Sequence, residues 1–118
     1  MDIAVSANKK MLLIDNKKIE FNHEIYMIEI MQSQVIVLLK TPTNSDDIDN
    51  IYSVGFDAKI IWRVQNRRYF QKKFLKVPYI SIRIAGNDII ANDFYGARYI
   101  INSTNGHIIG RDITGRDW

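Results

Sequence analysis

Apolar and polar residues alternate with a period of two along most of this chain. Val35, Val37 and Leu39 alternate in QVIVLLK. Ile60, Trp62 and Val64 alternate with Ile61, Arg63 and Gln65, and Ile80, Ile82 and Ile84 alternate with Tyr79, Ser81 and Arg83. A period of two sends successive side chains to opposite faces of a sheet. Turn signals separate the runs: Asp15-Asn16, Gln32-Ser33, Asp57-Ala58, Gly86-Asn87 and Asn105-Gly106. Asn-Gly is the strongest, since a type I′ turn needs positive φ at both central residues. The pattern predicts hairpins at 10–14/18–21, 25–31/34–40, 51–55/59–65, 79–84/88–91 and 97–102/107–113. Turns this short require antiparallel pairing, because parallel strands need crossovers of about a dozen residues. The fold class expected is all-β: an antiparallel meander of consecutive hairpins forming a twisted sandwich, a partly open barrel or a propeller-like sheet. Val35, Val37, Leu39, Ile60, Trp62, Val64, Ile80, Ile82 and Ile84 form the expected inward face.

Two stretches interrupt the meander. Residues 41–50, TPTNSDDIDN, are polar and contain Pro42, which predicts an exposed loop. Residues 66–77 hold Tyr69, Phe70, Phe74 and Leu75 at near-helical spacing but lack a clear cap, so they are a short helix or a long loop. Pro78 then restarts extended chain. At most one short helix is expected.

An internal repeat is also visible. Ile51-Tyr52-Ser53-Val54 leads through a turn to Lys59-Ile60-Ile61-Trp62, and Arg98-Tyr99-Ile100-Ile101 leads through a turn one residue longer to His107-Ile108-Ile109-Gly110. The unit looks like the strand–turn–strand of quinoprotein-type β-propeller blades, whose second strand often ends in tryptophan. A chain of 118 residues has strands for two or three blades, fewer than the four or more that close a ring.

Composition agrees with the strand reading and bounds the chemistry. There are 21 isoleucines against 5 leucines, and only three glutamates. β-branched side chains suit a pleated sheet better than a helix. The length favours a single domain over residues 1–118. With no cysteine, disulfides, thiol nucleophiles and thiolate zinc sites are excluded. No apolar run approaches the roughly 20 residues of a membrane helix. The opening MDIAVSANKK lacks the charged start, apolar stretch and cleavage site of a signal peptide, so the expected compartment is the cytoplasm.

His23 and His107 each lie beside a turn with no second histidine at ligand spacing, and read as surface residues. No serine sits in a nucleophile elbow, and the glycines form no phosphate-binding motif. The sequence is therefore not expected to be an enzyme or to need a cofactor. Asp46, Asp47 and Asp49 lack the glycine and distal glutamate of a calcium loop. They read instead as acids on a mobile tip that steer a basic partner.

The opposite pole is Arg67, Arg68, Lys72, Lys73 and Lys76, interleaved with Tyr69, Phe70 and Phe74 and free of acids. Such a segment suits phosphate contacts with base stacking, or a protein interface. Alternatively its aromatics close the core while its charges stay in water. Residues 1–60 carry a net −3 and residues 61–118 a net +6, summing to +3.

The stretch Asp46-Asp47-Ile48-Asp49-Asn50-Ile51-Tyr52-Ser53-Val54, followed by Lys59-Ile60-Ile61-Trp62-Arg63-Val64, resembles a group of small bacterial proteins. So do Ile82-Arg83-Ile84, Asn92-Asp93-Phe94-Tyr95-Gly96-Ala97-Arg98-Tyr99 and Thr104-Asn105-Gly106-His107-Ile108-Ile109. The group is similar to the immunity proteins encoded beside polymorphic or contact-dependent growth-inhibition toxins. Phe56-Asp57-Ala58, where an Asn-Gly turn is expected, and the basic 66–76 insert depart from its pattern. The resemblance implies a cytoplasmic binder that blocks the active site or substrate path of a cognate toxin C-terminal domain, often a nuclease. Its expected contacts are Asp46, Asp47, Asp49, Arg67, Arg68, Tyr69, Lys72 and Lys73. The alternative from the residues themselves is a nucleic-acid-binding β module using 67–76. A third is a propeller-like fragment that oligomerises through a free edge strand. None of these readings involves a membrane.

Overall fold

The computed structural model describes residues 3–42 and 44–112. It is all-β, with eleven strands among the described residues: β1 Val5–Asn8, β2 Met11–Ile14, β3 Lys17–Glu20, β4 Glu24–Met31, β5 Gln34–Lys40, β6 Ile51–Gly55, β7 Ile60–Arg63, β8 Tyr79–Ala85, β9 Asp88–Asp93, β10 Arg98–Asn102 and β11 Ile108–Asp112. They form three antiparallel meanders in chain order: β1–β3, β4–β7 and β8–β11. None closes into a barrel. All five predicted hairpins are present, and β1 is an additional strand. The predicted strand end at Ile113 and the loop residue Thr43 lie outside the described residues. Each predicted turn holds one left-handed residue, namely Asp15, Gln32, Ala58, Gly86 or Gly106. At Asn105-Gly106 only the glycine has positive φ, so that turn is not the type I′ pair its dipeptide predicted.

The sheets stack face to face, with the middle one shared. Strand β5 is buried on both sides. Val35, Val37 and Leu39 join Leu12, Ile14, Phe21 and Val54 in a core against the first sheet. Ile36 and Leu38 join Ile51, Trp62, Tyr79, Ile82, Ile89, Tyr99 and Ile101 in a core against the third. The near-continuous apolar run QVIVLLK is what a strand sandwiched between two sheets requires. The outer faces are mostly polar: Leu13 is flanked by Ser6 and Lys18. Ile90 and Ile100 lie between Arg83 and Gly110 in their row, with Ser81, Asn92 and Arg98 in the next. Polar outer faces are what terminate a stack of repeated units.

The internal repeat has a structural counterpart. Its two copies are the third and fourth strands of the two four-stranded sheets, β6–β7 and β10–β11. Both sheets also carry β-bulges at matching places. One extra residue, Tyr26 in β4 and Ile80 in β8, interrupts the pairing near the start of the first strand. Another, Ile61 in β7 and Ile109 in β11, interrupts the fourth. All four bulged side chains are between 45% and 58% exposed.

These bulges overturn part of the expected core. An extra residue shifts every side chain before it to the other face. Ile61 therefore moves Ile60 onto the face opposite Trp62, where it is 49% exposed, and Ile80 is itself extruded. Trp62, Val64 and Ile82 are buried as expected, with Ile84 packed against their core. Residues 66–77 are irregular apart from a single 3-10 turn, Arg67–Tyr69.

Candidate functional site

The loop 41–50 and the segment 66–76 lie side by side, each fastened by polar contacts. Asn50 is buried, and its amide nitrogen donates to the carbonyls of Leu39 (2.8 Å) and Tyr79 (2.9 Å). Its amide oxygen accepts from the Tyr79 backbone N–H at 2.9 Å. One side chain thus links the last residues of the loop to both adjoining sheets. Asp47 is half-buried and pairs with His23 (2.9 Å) and with the Arg63 guanidinium. Arg63 Nε also donates to the Asp49 carbonyl at 2.7 Å. Partial burial pushes the Asp47 carboxyl pKa up, but the Arg63 charge and hydrogen bonds from His23 and Arg63 outweigh it and hold the group below its ordinary value. The Asp49 carboxylate accepts from Asn66 Nδ2 at 3.1 Å, joining the loop to the basic segment. Ile48 is buried. The expected mobile acidic tip is therefore a fastened loop, and of its three carboxylates Asp46 alone is fully outward.

Asn66 also starts the basic segment. Its Oδ1 accepts from the Arg68 N–H at 3.0 Å and caps the 3-10 turn. This is the short-range competition that favours Asn before a turn. Arg67 then turns inward and is 0% exposed. Its guanidinium lies 4.1 Å from the Tyr79 ring centre and 5.2 Å from that of Tyr99, and these rings meet edge to face. Nε donates to the Tyr79 hydroxyl at 3.2 Å, and Nη1 to the carbonyls of Val77 (2.7 Å) and Leu75 (3.2 Å). Burial pushes Tyr79 up to about 12, although the Arg67 charge and hydrogen bond act the other way. Gln71 Nε2 donates to the Tyr99 hydroxyl at 3.0 Å.

The sequence placed Arg67 at the partner surface, and the structure corrects this. The guanidinium is the post on which residues 71–77 are hung, held by carbonyls and aromatic faces in place of a carboxylate. The idea that the segment's aromatics close the core is overturned as well. Tyr69 is 66% exposed, and Phe70 and Leu75 are also outward. Arginine has taken the inward position because its flat, weakly hydrated head stacks on rings and still reaches backbone acceptors.

What remains outward is one cleft of about 440 Å³, lined by Asp46, Ile48, Asn66, Arg68, Phe74 and Lys76. The acidic and basic poles thus face the same space. Arg68 stacks 5.0 Å above Tyr69 and donates to its hydroxyl at 3.2 Å. Lys72 and Lys73 are exposed on the same segment. Of the expected contact residues, Asp46, Arg68, Tyr69, Lys72 and Lys73 are exposed, Asp47 and Asp49 act as fasteners, and Arg67 is internal. Ile48, Asn66, Phe74 and Lys76 are cleft residues that were not among the expected contacts. The Asn before Arg-Arg-Tyr was the one signal that a turn starts there. The cleft can take a surface that offers charges of both signs around an apolar contact. Among the described residues there is no group of three or more His, Cys, Asp or Glu that could hold a metal ion, and no helix long and apolar enough to cross a membrane.

The architecture is similar to that in the crystal structure of the computationally designed protein Ika8. The TM-score is 0.69 at 8% identity, covering 96% of this chain and 34% of that one. This likeness concerns the fold alone, and the chain spans about a third of the length of that protein. No curated protein matches the sequence. A family profile described as a domain of unknown function, DUF7957, matches residues 2–113, and the chain belongs to that family.

Proposed function

We propose that this protein is a bacterial, cytoplasmic immunity protein. It binds a cognate toxin domain of a polymorphic or contact-dependent growth-inhibition system and blocks that domain's active site or substrate path. The observation that carries the reading is the cleft where Asp46 faces Arg68 and Lys76 across Ile48 and Phe74. Its walls are fastened to two sheets through Asn50 and Arg67, so little order is lost on docking. Outward charges of both signs around an apolar floor favour one partner and reject others. The sequence resemblance selects a toxin as that partner.

The test is binding of the full chain to the toxin domain encoded beside its gene, with single-stranded RNA as control, across a salt series. The variants are Asp46→Lys and the triple Arg68→Glu, Lys72→Glu, Lys73→Glu. Nanomolar toxin binding that both variants weaken, with loss of protection in cells, is the expected result. Steeply salt-dependent RNA binding, lost only in the triple variant and with no toxin binding, would replace this reading with the nucleic-acid module.

A further inference from the structure

The bulges at Tyr26 and Ile80 occupy equivalent positions in two sheets, and their side chains line one groove of about 390 Å³. Phe94 completes its rim. The floor is apolar, with Leu39 and Tyr79 almost wholly buried beneath it. A bulge extrudes a residue into solvent, where a polar side chain would be favoured. Here two large apolar side chains are extruded into the same groove. Bulges re-aim side chains beside binding sites more often than elsewhere. The groove's volume and apolar lining are those of a small-molecule site.

Its polar groups define what it takes. Lys40 is the one charged residue in the lining, and no acid joins it there. Glu24 lies opposite Lys40 in the strand register, but among the described residues no carboxylate comes within ion-pair distance of its ammonium. The Thr41 hydroxyl, in the same wall, is buried and has no hydrogen-bond partner among the described residues. A buried hydroxyl without a partner is unfavourable, and an added acceptor relieves that cost.

We propose that this groove binds a free small-molecule carboxylate with an aromatic or branched apolar body. The body lies between Tyr26, Ile80 and Phe94, and the carboxylate meets Lys40. The site is separate from the charged cleft and does not depend on the toxin reading.

The probe is 1-naphthylacetate titrated into the full isotope-labelled chain, followed by amide shifts, with 1-naphthylacetamide as its uncharged counterpart. We expect saturable shifts confined to the neighbourhood of Tyr26, Thr41, Ile80 and Phe94, with the acid binding more tightly than the amide. Lys40→Gln should weaken the acid about tenfold, the loss of one charge-assisted contact, and leave the amide unchanged. Ile80→Glu, at a position that is 45% exposed, should abolish binding of both while the rest of the amide spectrum stays that of the folded parent. Absence of saturable shifts at millimolar probe, shifts centred elsewhere, equal affinity for acid and amide, or an unchanged Lys40→Gln variant would each overturn the proposal.

Discussion

Trp62 lies flat against Gly106, and the contact leaves no room for a side chain there. A Cβ on Gly106 would stand 2.5 Å from Trp62 Cε3. The indole N–H donates to the Ser103 carbonyl at 2.8 Å, in the same turn. The fourth strand of the middle sheet is thereby docked onto the β10–β11 turn of the third. At the equivalent position in β11 stands Gly110, covered by Ile100 of its own sheet. The tryptophan is present in the copy that has a following sheet to grip, and no side chain stands there in the other.

Gly106→Ala should therefore cost about 2–4 kcal/mol. A left-handed φ of 76° is worth about 1–2 of that and overpacking against Trp62 the rest. Gly86→Ala is the control, because its φ is also left-handed at 63° and its Cβ would meet nothing within 4 Å. Urea denaturation of the two variants separates backbone strain from the docking contact. Equal losses would mean that the indole shifts freely.

Arg67 gives a second prediction. Arg67→Ala leaves the Val77 carbonyl and the Tyr79 hydroxyl without their donor and opens a cavity between two rings, so a loss of about 3–5 kcal/mol is expected. Arg67→Met, which keeps the volume, should lose less. Tyr79 supplies an independent readout. Its folded pKa of about 12 lies above the ordinary value near 10, chiefly through burial. Its stabilising contribution is therefore complete below pH 10 and disappears as pH rises from about 10 to 12. In Arg67→Met, where the opposing charge is gone, ultraviolet titration should find one tyrosine ionising later still, or only on unfolding.

The sequence disclosed the hairpins because a short polar break separates each pair of alternating runs; Asp15, Gly86 and Gly106 are residues that readily take positive φ, whereas Gln32 and Ala58 are not and are held there by the pairing on either side. It disclosed one face of β5, Val35, Val37 and Leu39, but not the other: Ile36 and Leu38 are buried as well, against the third sheet, and period-two alternation alone marks only one inward face. It did not disclose the bulges. Lys59-Ile60-Ile61-Trp62 and Pro78-Tyr79-Ile80-Ser81 contain nothing that marks which residue is extruded, and partner register decides it. The charged site was half legible for a related reason. Spacing alone located Asp46–Asp49 and Arg67–Lys76, but which charges turn inward depends on Tyr79, Tyr99, His23 and Arg63, which come from other parts of the chain.

Register makes a contrast between isoleucines that look alike in sequence. Ile82→Ala removes a side chain buried between the second and third sheets and should cost about 2–5 kcal/mol. Ile60→Ala truncates an exposed side chain on an edge strand and should cost under about 1 kcal/mol. Guanidinium denaturation midpoints decide the matter. Similar losses at the two positions would show that β7 lacks its bulge in solution.

The last prediction concerns acid. The folded pKa of Asp47 is held below that of the unfolded chain, so its ion pairs contribute fully at pH values above about 4, the ordinary range of an aspartate. That contribution is lost as pH falls through the lowered folded value, because the unfolded state takes up the proton first. Asp47→Asn should be less stable than the parent at neutral pH, and the two should converge at the acid end of the curve. Arg63→Gln removes the charge that chiefly offsets burial, so the acid limb of its stability curve should move to higher pH. Thermal melts between pH 2 and pH 7 measure both effects. A parent and an Asp47→Asn variant that run parallel across that range would show that the loop is fastened by Asn50 and Asp49 alone.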